Sequence, residues 1–267
     1  MDRAARTFGT ELRRWRTQRG LTQMALALAA DVSTRHLSWL EGGKAEPSRA
    51  MVLRLCERLD VPLRERNALL ALAGFAPMFA QRSLDTPESA GTRAAVQRLL
   101  DAHEPWPALA VDRHWNLVAH NRMLPPLLQF VAPALRQAPV NALRLMLHPK
   151  GMAPMVEDLP VWRAHMLARL RRQIAASGDM ALVRLETELR ALGHDPDSAQ
   201  EAVHEQGPDL ALTLVLHTPF GRLAFITTST VFGAPNDVTM SELAIETLLP
   251  ADADTAARLR ALHTSIT

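Results

Sequence analysis

The chain has 267 residues, 48% of them apolar, and a formal net charge of +2. That length fits about two domains, no apolar run approaches the roughly 18 residues of a membrane-spanning helix, and a single cysteine excludes an internal disulfide framework and fits a reducing cytoplasm. The charge is uneven: residues 1–82 carry 14 Arg and Lys against 8 Asp and Glu, and the remainder 16 against 20, so a polyanionic partner is expected for the front alone.

The N-terminus, MDRAARTFGTELRRWRTQRG, is charged and helical rather than a secretory leader, so a cytoplasmic location is expected. Phe8, Leu12 and Trp15 recur at i, i+4 and i+7, which predicts an amphipathic helix with Arg13, Arg14, Arg16 and Arg19 on its other faces. Gly20 ends it. Thr22 is suited to cap a second helix, with Ala25, Leu28 and Ala29 expected to face inward. Asp31-Val32 makes a brief turn. Ser33 caps a third helix carrying Leu37 and Leu40, stopped by Gly42-Gly43. Ser48, after Pro47, opens a fourth through Met51, Leu55 and Leu59. Cys56 lies among Val52, Leu53, Leu55 and Leu59 and reads as a small buried hydrophobe rather than a redox thiol. Pro62 starts a fifth helix, Leu63 to Ala73, closed by Gly74.

From Pro77 to about Gly91 the apolar period fades, and Ser83, Asp85, Thr86, Pro87, Glu88 and Ser89 mark a linker. Residues 92–103 are helical again. Trp106 to His120 reads as strand, turn, strand, with apolar runs at 108–111 and 115–119. Asn121 then caps a short helix. Residues 142–148, 160–176, 179–192 and 196–206 are helical by pattern. Three strand-like runs follow, Leu210–His217, Arg222–Ser229 and Val238–Leu248, with a hairpin signal at Pro219-Phe220-Gly221. Asp252 to His263 makes a closing helix. The expected architecture is an all-α five-helix domain over 1–76, a linker or connecting helix over 77–103, and an α+β domain with an antiparallel sheet over 104–267.

Two helices joined by a tight turn place the second in a DNA major groove. Val32, Leu37 and Leu40 point to the core, which leaves Thr34, Arg35, Ser38 and Trp39 outside that stripe. Arg pairs bidentately with guanine O6 and N7, and a Thr methyl touches a thymine methyl. Trp39 suits either the sugar–phosphate edge or the cover of a neighbouring helix. Gln23 opens the second helix, and Lys44 and Arg49 flank the loop after the third; all three suit phosphates. Glu41 is a poor phosphate neighbour and reads as structural, paired with an arginine such as Arg16. With Ser33 at the helix entry, the expected DNA-facing set is Gln23, Ser33, Thr34, Arg35, Ser38, Trp39, Lys44 and Arg49. One module covers a half-site, so a homodimer on a two-fold-related double-stranded operator is expected. The stretch LTQMALALAADVSTRHLSWLEGGKAEPS resembles the XRE (Cro/cI-like) helix-turn-helix family, and the resemblance covers residues 8–72. It rests on the Gln after Leu-Thr, the Val-Ser entry and the Glu-Gly-x-x-x-x-Pro-Ser exit. It implies a lambda-repressor-like fold in which Gln23, Thr34, Arg35 and Trp39 face bases or backbone.

In the rear domain Asn141, Arg144 and His148 fall at i, i+3 and i+7, on roughly one helical face, among Leu143, Leu145, Met146 and Leu147. An Arg there holds either a ligand carboxylate, through a bidentate pair, or an internal Glu. Met146, Met152, Met155 and Met166 supply adaptable apolar surface for a pliable pocket or for plain core. His114 and His120 fall on one side of the expected strand. With no His-Glu-x-x-His and no Cys pair, however, neither metal nor haem is expected. There is no Gly-x-Ser-x-Gly, P-loop or dinucleotide fingerprint, so no enzyme activity and no catalytic residue is expected. The segments ALAVDRHWNLVAHN, NALRLMLHPKGM and VFGAPNDVTMSELAIETLLPADADTA, with TRHLSWLE of the front, resemble the MmyB-like ligand-binding domain family over about residues 106–258. The resemblance implies a PAS-like fold and a transcription regulator whose DNA binding is biased by a small apolar or amphipathic effector, such as a fatty acid. The candidate ligand contacts are Trp115, Arg144, Met146 and His148. The alternative is a rear domain that serves dimerisation or a protein partner without a small molecule.

Overall fold

The computed structural model describes residues 6–84, 86–193, 213–233 and 237–266. They divide into two compact units. The first runs to Arg82 and also takes in the short segment that ends at Ser241; the second holds the chain from Ser83 to Gly233 and from Glu242 onward. The helix expected over 196–206 and the start of the strand expected from Leu210 lie outside the described residues.

The first unit contains α1 (Phe8–Gln18), α2 (Gln23–Ala29), α3 (Thr34–Glu41), α4 (Arg49–Arg58) and α5 (Leu63–Leu72). Four of them begin at a hydroxyl cap. The side chains of Thr7, Thr22, Ser33 and Ser48 accept hydrogen bonds from the backbone N–H groups of Thr10, Ala25, His36 and Met51, each cap worth about 1 kcal/mol. All five end in the same way. Gly20, Asp31, Gly43, Asp60 and Gly74 take positive φ, and the next N–H reaches back five residues: Leu21 to Arg16, Val32 to Ala27, Lys44 to Trp39, Val61 to Cys56, Phe75 to Leu70. Leu21, Val32, Val61 and Phe75 then fold onto the core of Phe8, Leu12, Trp15, Leu26, Leu37, Leu40, Val52, Leu55 and Leu70. Turn chemistry therefore spaces the helices before packing selects their faces.

The buried face of α2 differs from expectation. Leu26, Ala27 and Ala30 are buried, whereas Ala25, Leu28 and Ala29 are exposed, Leu28 by 83%. After Gln23 the α2 sequence MALALA is apolar on every side, so periodicity names no face.

The chain continues through α6 (Ala90–Asp101), β1 (Ala108–Val111), β2 (Leu117–His120), α7 (Leu124–Leu128), α8 (Ala142–Leu147), α9 (Leu159–Ser177) and α10 (Met180–Ala191). After the undescribed stretch come β3 (Thr213–Thr218), β4 (Gly221–Val231), α11 (Val238–Ser241), β5 (Ala244–Pro250) and α12 (Ala253–Ile266). The five strands form one sheet in the order β2-β1-β5-β4-β3, antiparallel at every pairing. Val111, Leu214, Leu216, Leu223 and Phe225 from the sheet pack with Leu143, Leu145, Leu147, Trp162, Leu170, Leu182 and Leu185 from α8, α9 and α10. Helix α6 lies along β1 and β2, and α12 along β4 and β5.

Two further expectations are corrected. The run Val238–Leu248 is not one strand: Asp237 Oδ1 accepts from the N–H groups of Thr239 and Met240 and starts the helical turn α11, so β5 begins only at Ala244. The second strand starts at Leu117 rather than at 115. Trp115 sits in the preceding turn with φ 66, held by Asp112 Oδ1, which accepts from the N–H groups of His114 and Asn116. His114 and His120 therefore share no strand face. Asn121 is structural, but as a clamp rather than the cap of α7: buried, it accepts from Ala108 N–H and donates to the carbonyls of Leu100 and Trp106. Among the described residues no helix is long and apolar enough to cross a membrane.

Cys56 is 1% exposed, and burial pushes its thiol up to about 12. The native protein is expected to resist aromatic disulfide reagents at pH 8 and to react at one thiol per chain on denaturation. Rapid native labelling would contradict the burial.

Candidate functional site

The exposed face of α3 carries Thr34, Arg35, Ser38 and Trp39. Arg35 and Trp39 stand one turn apart, and the Arg35 guanidinium carbon lies 4.5 Å above the Trp39 ring centroid. This cation–π contact holds a flexible arginine along the helix surface. Ser33 spends its hydroxyl on the His36 N–H at 3.1 Å, so it serves the helix as its cap. Lys44 is exposed in the turn after α3. Arg49 opens α4, with its guanidinium 5.6 Å from the Phe75 ring centroid.

Behind this face lies Glu41, the last residue of α3, only 4% exposed. Arg16 donates to it through Nε at 2.6 Å and Nη2 at 3.0 Å. Arg13 Nε adds a longer bond at 3.3 Å. Gln23 Nε2 donates to the same carboxylate at 2.8 Å. Arg16 also donates to the Leu21 carbonyl at 2.7 Å. The expected Glu41–Arg16 pair is thus present, and Gln23 joins it. Sequence reasoning missed the Gln23 bond, because Gln23 and Glu41 stand on different helices 18 positions apart. One amide N–H of Gln23 is committed to Glu41, which orients the rest of that side chain. Burial works to raise the Glu41 pKa, but the bonds from Arg16, Gln23 and Arg13 hold it below the ordinary glutamate range. Gly9 of α1 permits the close approach: a Cβ there would meet the Leu40 and Glu41 carbonyl oxygens at 2.5 and 2.7 Å.

In the second unit Trp115 adjoins the start of α8, whose Ala142 N–H donates to the Trp115 carbonyl at 2.8 Å, and Arg144, Met146 and His148 follow along that helix and its end. Trp115 is 6% exposed and joins the main core, and Met146 packs against that core. The Trp115 Nε1–H donates to Gln173 Oε1 at 2.8 Å, and the Arg169 guanidinium lies 4.5 Å over its ring. Arg144 holds Glu188 through two 2.7 Å bonds; of the two partners the sequence left open, the internal carboxylate is the one present. His148 Nδ1 accepts from Lys150 N–H at 2.9 Å. Sequence reasoning passed over two further features. Arg169 grips Glu246 of β5 at 2.5 and 3.0 Å and Ser229 of β4 at 2.8 Å. Trp162 is 4% exposed, and its Nε1–H has no hydrogen-bond partner among the described residues; the same holds for Trp15 in the first unit. Trp162 stacks on His165 with centroids 5.6 Å apart, and burial, with Arg169 and Arg172 nearby, lowers the His165 pKa. A separate groove of about 620 Å³ runs between α6 and β2, with Leu84, Ala94, Val96, Gln97, Val118 and His120 among its walls.

A five-helix unit with a polar exposed face on α3, followed by an α+β unit with a five-stranded antiparallel sheet, defines a two-part protein of helix-turn-helix class. The family described as "Helix-turn-helix domain" matches residues 7–69, and "MmyB-like transcription regulator ligand binding domain" matches residues 92–262. The chain belongs to this MmyB-like family; it is a helix-turn-helix transcription regulator with an MmyB-like ligand-binding domain. It is also similar to the HTH-type transcriptional regulator PrpR of Mycobacterium tuberculosis, with 47% identity over 58 residues. That similarity covers 21% of this chain and 12% of PrpR.

Replacing Glu41 with Ala strands the Arg16 guanidinium, whose side chain is 11% exposed. Loss of one partner from a buried pair costs about 3–5 kcal/mol, to be read from urea unfolding of the first unit's helices. Because the folded Glu41 pKa is depressed, its stabilisation is complete above the unfolded value, roughly 4.3, and is lost as pH falls through the folded value. The melting-temperature gap between wild type and Glu41→Gln should therefore narrow as pH is lowered below that value. A gap constant from pH 7 to pH 3 would contradict the assignment.

Proposed function

We propose that this chain is a cytoplasmic, XRE-type, sequence-specific repressor or activator that binds its operator as a homodimer. Its DNA affinity is set by a fatty-acid-like ligand in the PAS-like second domain. The observation that carries the DNA reading is the outward set Thr34, Arg35, Ser38 and Trp39, mounted on a helix whose far end is fixed by Glu41. Arg35 supplies a planar donor fork for guanine, and Thr34 a methyl for thymine. Gln23, Lys44 and Arg49 anchor the phosphate backbone, and Ser33 sets the start of the helix. One such module reads a half-site, so two copies related by a two-fold axis read a palindrome.

The ligand reading is supported by family membership and by the interior of the second unit. Met152 and Met166 are buried in the same core as Trp115 and Trp162. An unsatisfied buried donor costs about 1–3 kcal/mol, and a ligand oxygen accepting from Trp162 Nε1 would recover it. Trp115 and Met146 supply apolar wall. Arg144 and His148 would bind an acidic head only if Arg144 exchanges Glu188 for it.

Thr34→Ala with Arg35→Ala should abolish the operator footprint while leaving the melting temperature unchanged; a wild-type footprint would refute the assigned reading face. Wild-type affinity should also fall steeply with salt, as phosphate contacts release counterions. Native mass spectrometry and organic extraction of purified protein should recover a carboxylic acid of eight to eighteen carbons. A protein that carries no such compound, and whose melting temperature is the same with and without these acids, would refute the ligand reading.

A further inference from the structure

Two arginines of the first unit show what an aromatic ring does to a guanidinium. Arg19, just past the end of α1, lies 5.2 Å from the Trp15 ring centroid. Arg14 lies 4.6 Å from the same centroid. Both also use their N–H groups. Arg19 Nε donates to the Leu59 carbonyl at 2.9 Å, and its Nη2 to the Asp60 carbonyl at 3.1 Å. Arg14 Nε donates to Glu11 at 2.9 Å. A guanidinium is planar, so a ring takes its face while its N–H groups point out from the edge in the same plane. Stacking and donation therefore do not compete.

Arg35 and Trp39 repeat the first half of that arrangement on α3. Their separation of 4.5 Å is shorter than either contact at Trp15. The second half is missing: among the described residues the Arg35 guanidinium makes no hydrogen bond or ion pair. The two side chains are four positions apart and so share one helical face. Leu37 and Leu40 carry α3 into the core, whereas Trp39 stays on the exposed side. Its ring is not committed to packing the helix. What it holds is the arginine, and the donor edge of that arginine has no acceptor within the described protein. Fixing a long arginine on a partner costs rotamer freedom, and a ring that has already narrowed this freedom lowers the cost of binding.

We propose that Trp39 is a positioning residue for Arg35: its ring holds the guanidinium by the face, leaves the donor edge for a guanine, and itself makes no contact with DNA. Arg35 and Trp39 then act as one specificity-determining unit. Arginine suits this role because its face stacks while its edge donates to the two guanine acceptors, O6 and N7. The proposal rests on the reading of α3 as the DNA-recognition helix, and it assigns within that face which side chain touches a base and which one aims it.

The test uses the full chain and a duplex that the wild-type protein selects from random sequence. Wild type, Trp39→Leu, Arg35→Ala and the double variant are titrated on it by fluorescence anisotropy, at one low salt concentration where Arg35→Ala still binds through phosphates. The cost of ordering a long side chain corresponds to about a five-fold change in affinity, so Trp39→Leu is expected to raise Kd by that factor. In the Arg35→Ala background the same substitution is expected to change Kd by less than about two-fold, because coupled residues are not additive. Trp39→Phe keeps a ring and should retain most of the wild-type affinity. A guanine analogue that lacks the N7 acceptor should weaken wild-type binding about ten-fold at one position of each half-site, and weaken Trp39→Leu less. Should Trp39→Leu fail to fold, Trp39→Gln takes its place. An equal loss with and without Arg35 would overturn the proposal by placing the ring on the DNA itself, and so would an unchanged Kd for Trp39→Leu; both results leave the DNA reading standing. A wild-type protein that selects no duplex over random DNA would instead remove the DNA reading, and the proposal with it.

Discussion

Glu41 is the constraint on which the placement of α3 and its exposed face depends. A carboxylate enclosed by protein costs several kcal/mol unless donors replace its water. Here the donors come from two other helices, Arg13 and Arg16 of α1 and Gln23 of α2. Three helices are thereby required to meet at one point. Gly9 removes the side chain that would keep α1 from the end of α3. With that end fixed, the apolar stripe of Leu37 and Leu40 fixes the roll of α3, and its remaining face is displayed to solvent. A surface built on a rigid element presents its groups within narrow geometric limits. The Arg35–Trp39 contact extends that order to the longest side chain on the face.

The second unit uses polar groups in a comparable way inside a larger apolar core. Arg169 joins α9 to two strands, and Gln173, one turn further along, receives the Trp115 indole and donates to the Arg113 carbonyl. These bonds fix how α9 lies on the sheet. Trp162, two turns before Arg169 on the same helix, has a buried indole N–H that is unmatched among the described residues. The satisfied groups along α9 define its position, whereas the Trp162 N–H takes no part in fixing it. This contrast gives the ligand-binding domain a chemical asymmetry along a single helix.

Much of the first unit was legible because its signals are local. Hydroxyl caps at Thr22, Ser33 and Ser48 and the stops at Gly20, Gly43 and Gly74 act over four or five residues, and the structure uses each one. The outward face of α3 was readable because Leu37 and Leu40 leave only one stripe to bury. The face of α2 was not, because MALALA offers no polar side to exclude. The run from Val238 failed for a related reason. Its β-branched and apolar residues suit a strand, but Asp237 caps a turn there and Val238 finds burial in the first unit. Arg144 was legible as a residue that would hold a carboxylate, but not as the partner of Glu188, which lies 44 residues away.

The sequence by itself determined the two-part organisation, the five-helix start, the antiparallel sheet, and the residues left exposed on α3. Periodicity, capping and turn chemistry are properties of neighbouring residues, and they survive without knowledge of the fold. Tertiary structure alone decided that Gln23 belongs to Glu41, that Arg169 grips Ser229 and Glu246, and that residues 237–241 belong with the helix-turn-helix unit. Each of these joins groups far apart along the chain. Which donor meets which acceptor at such separations is set by how whole helices and strands pack, and no local pattern encodes it.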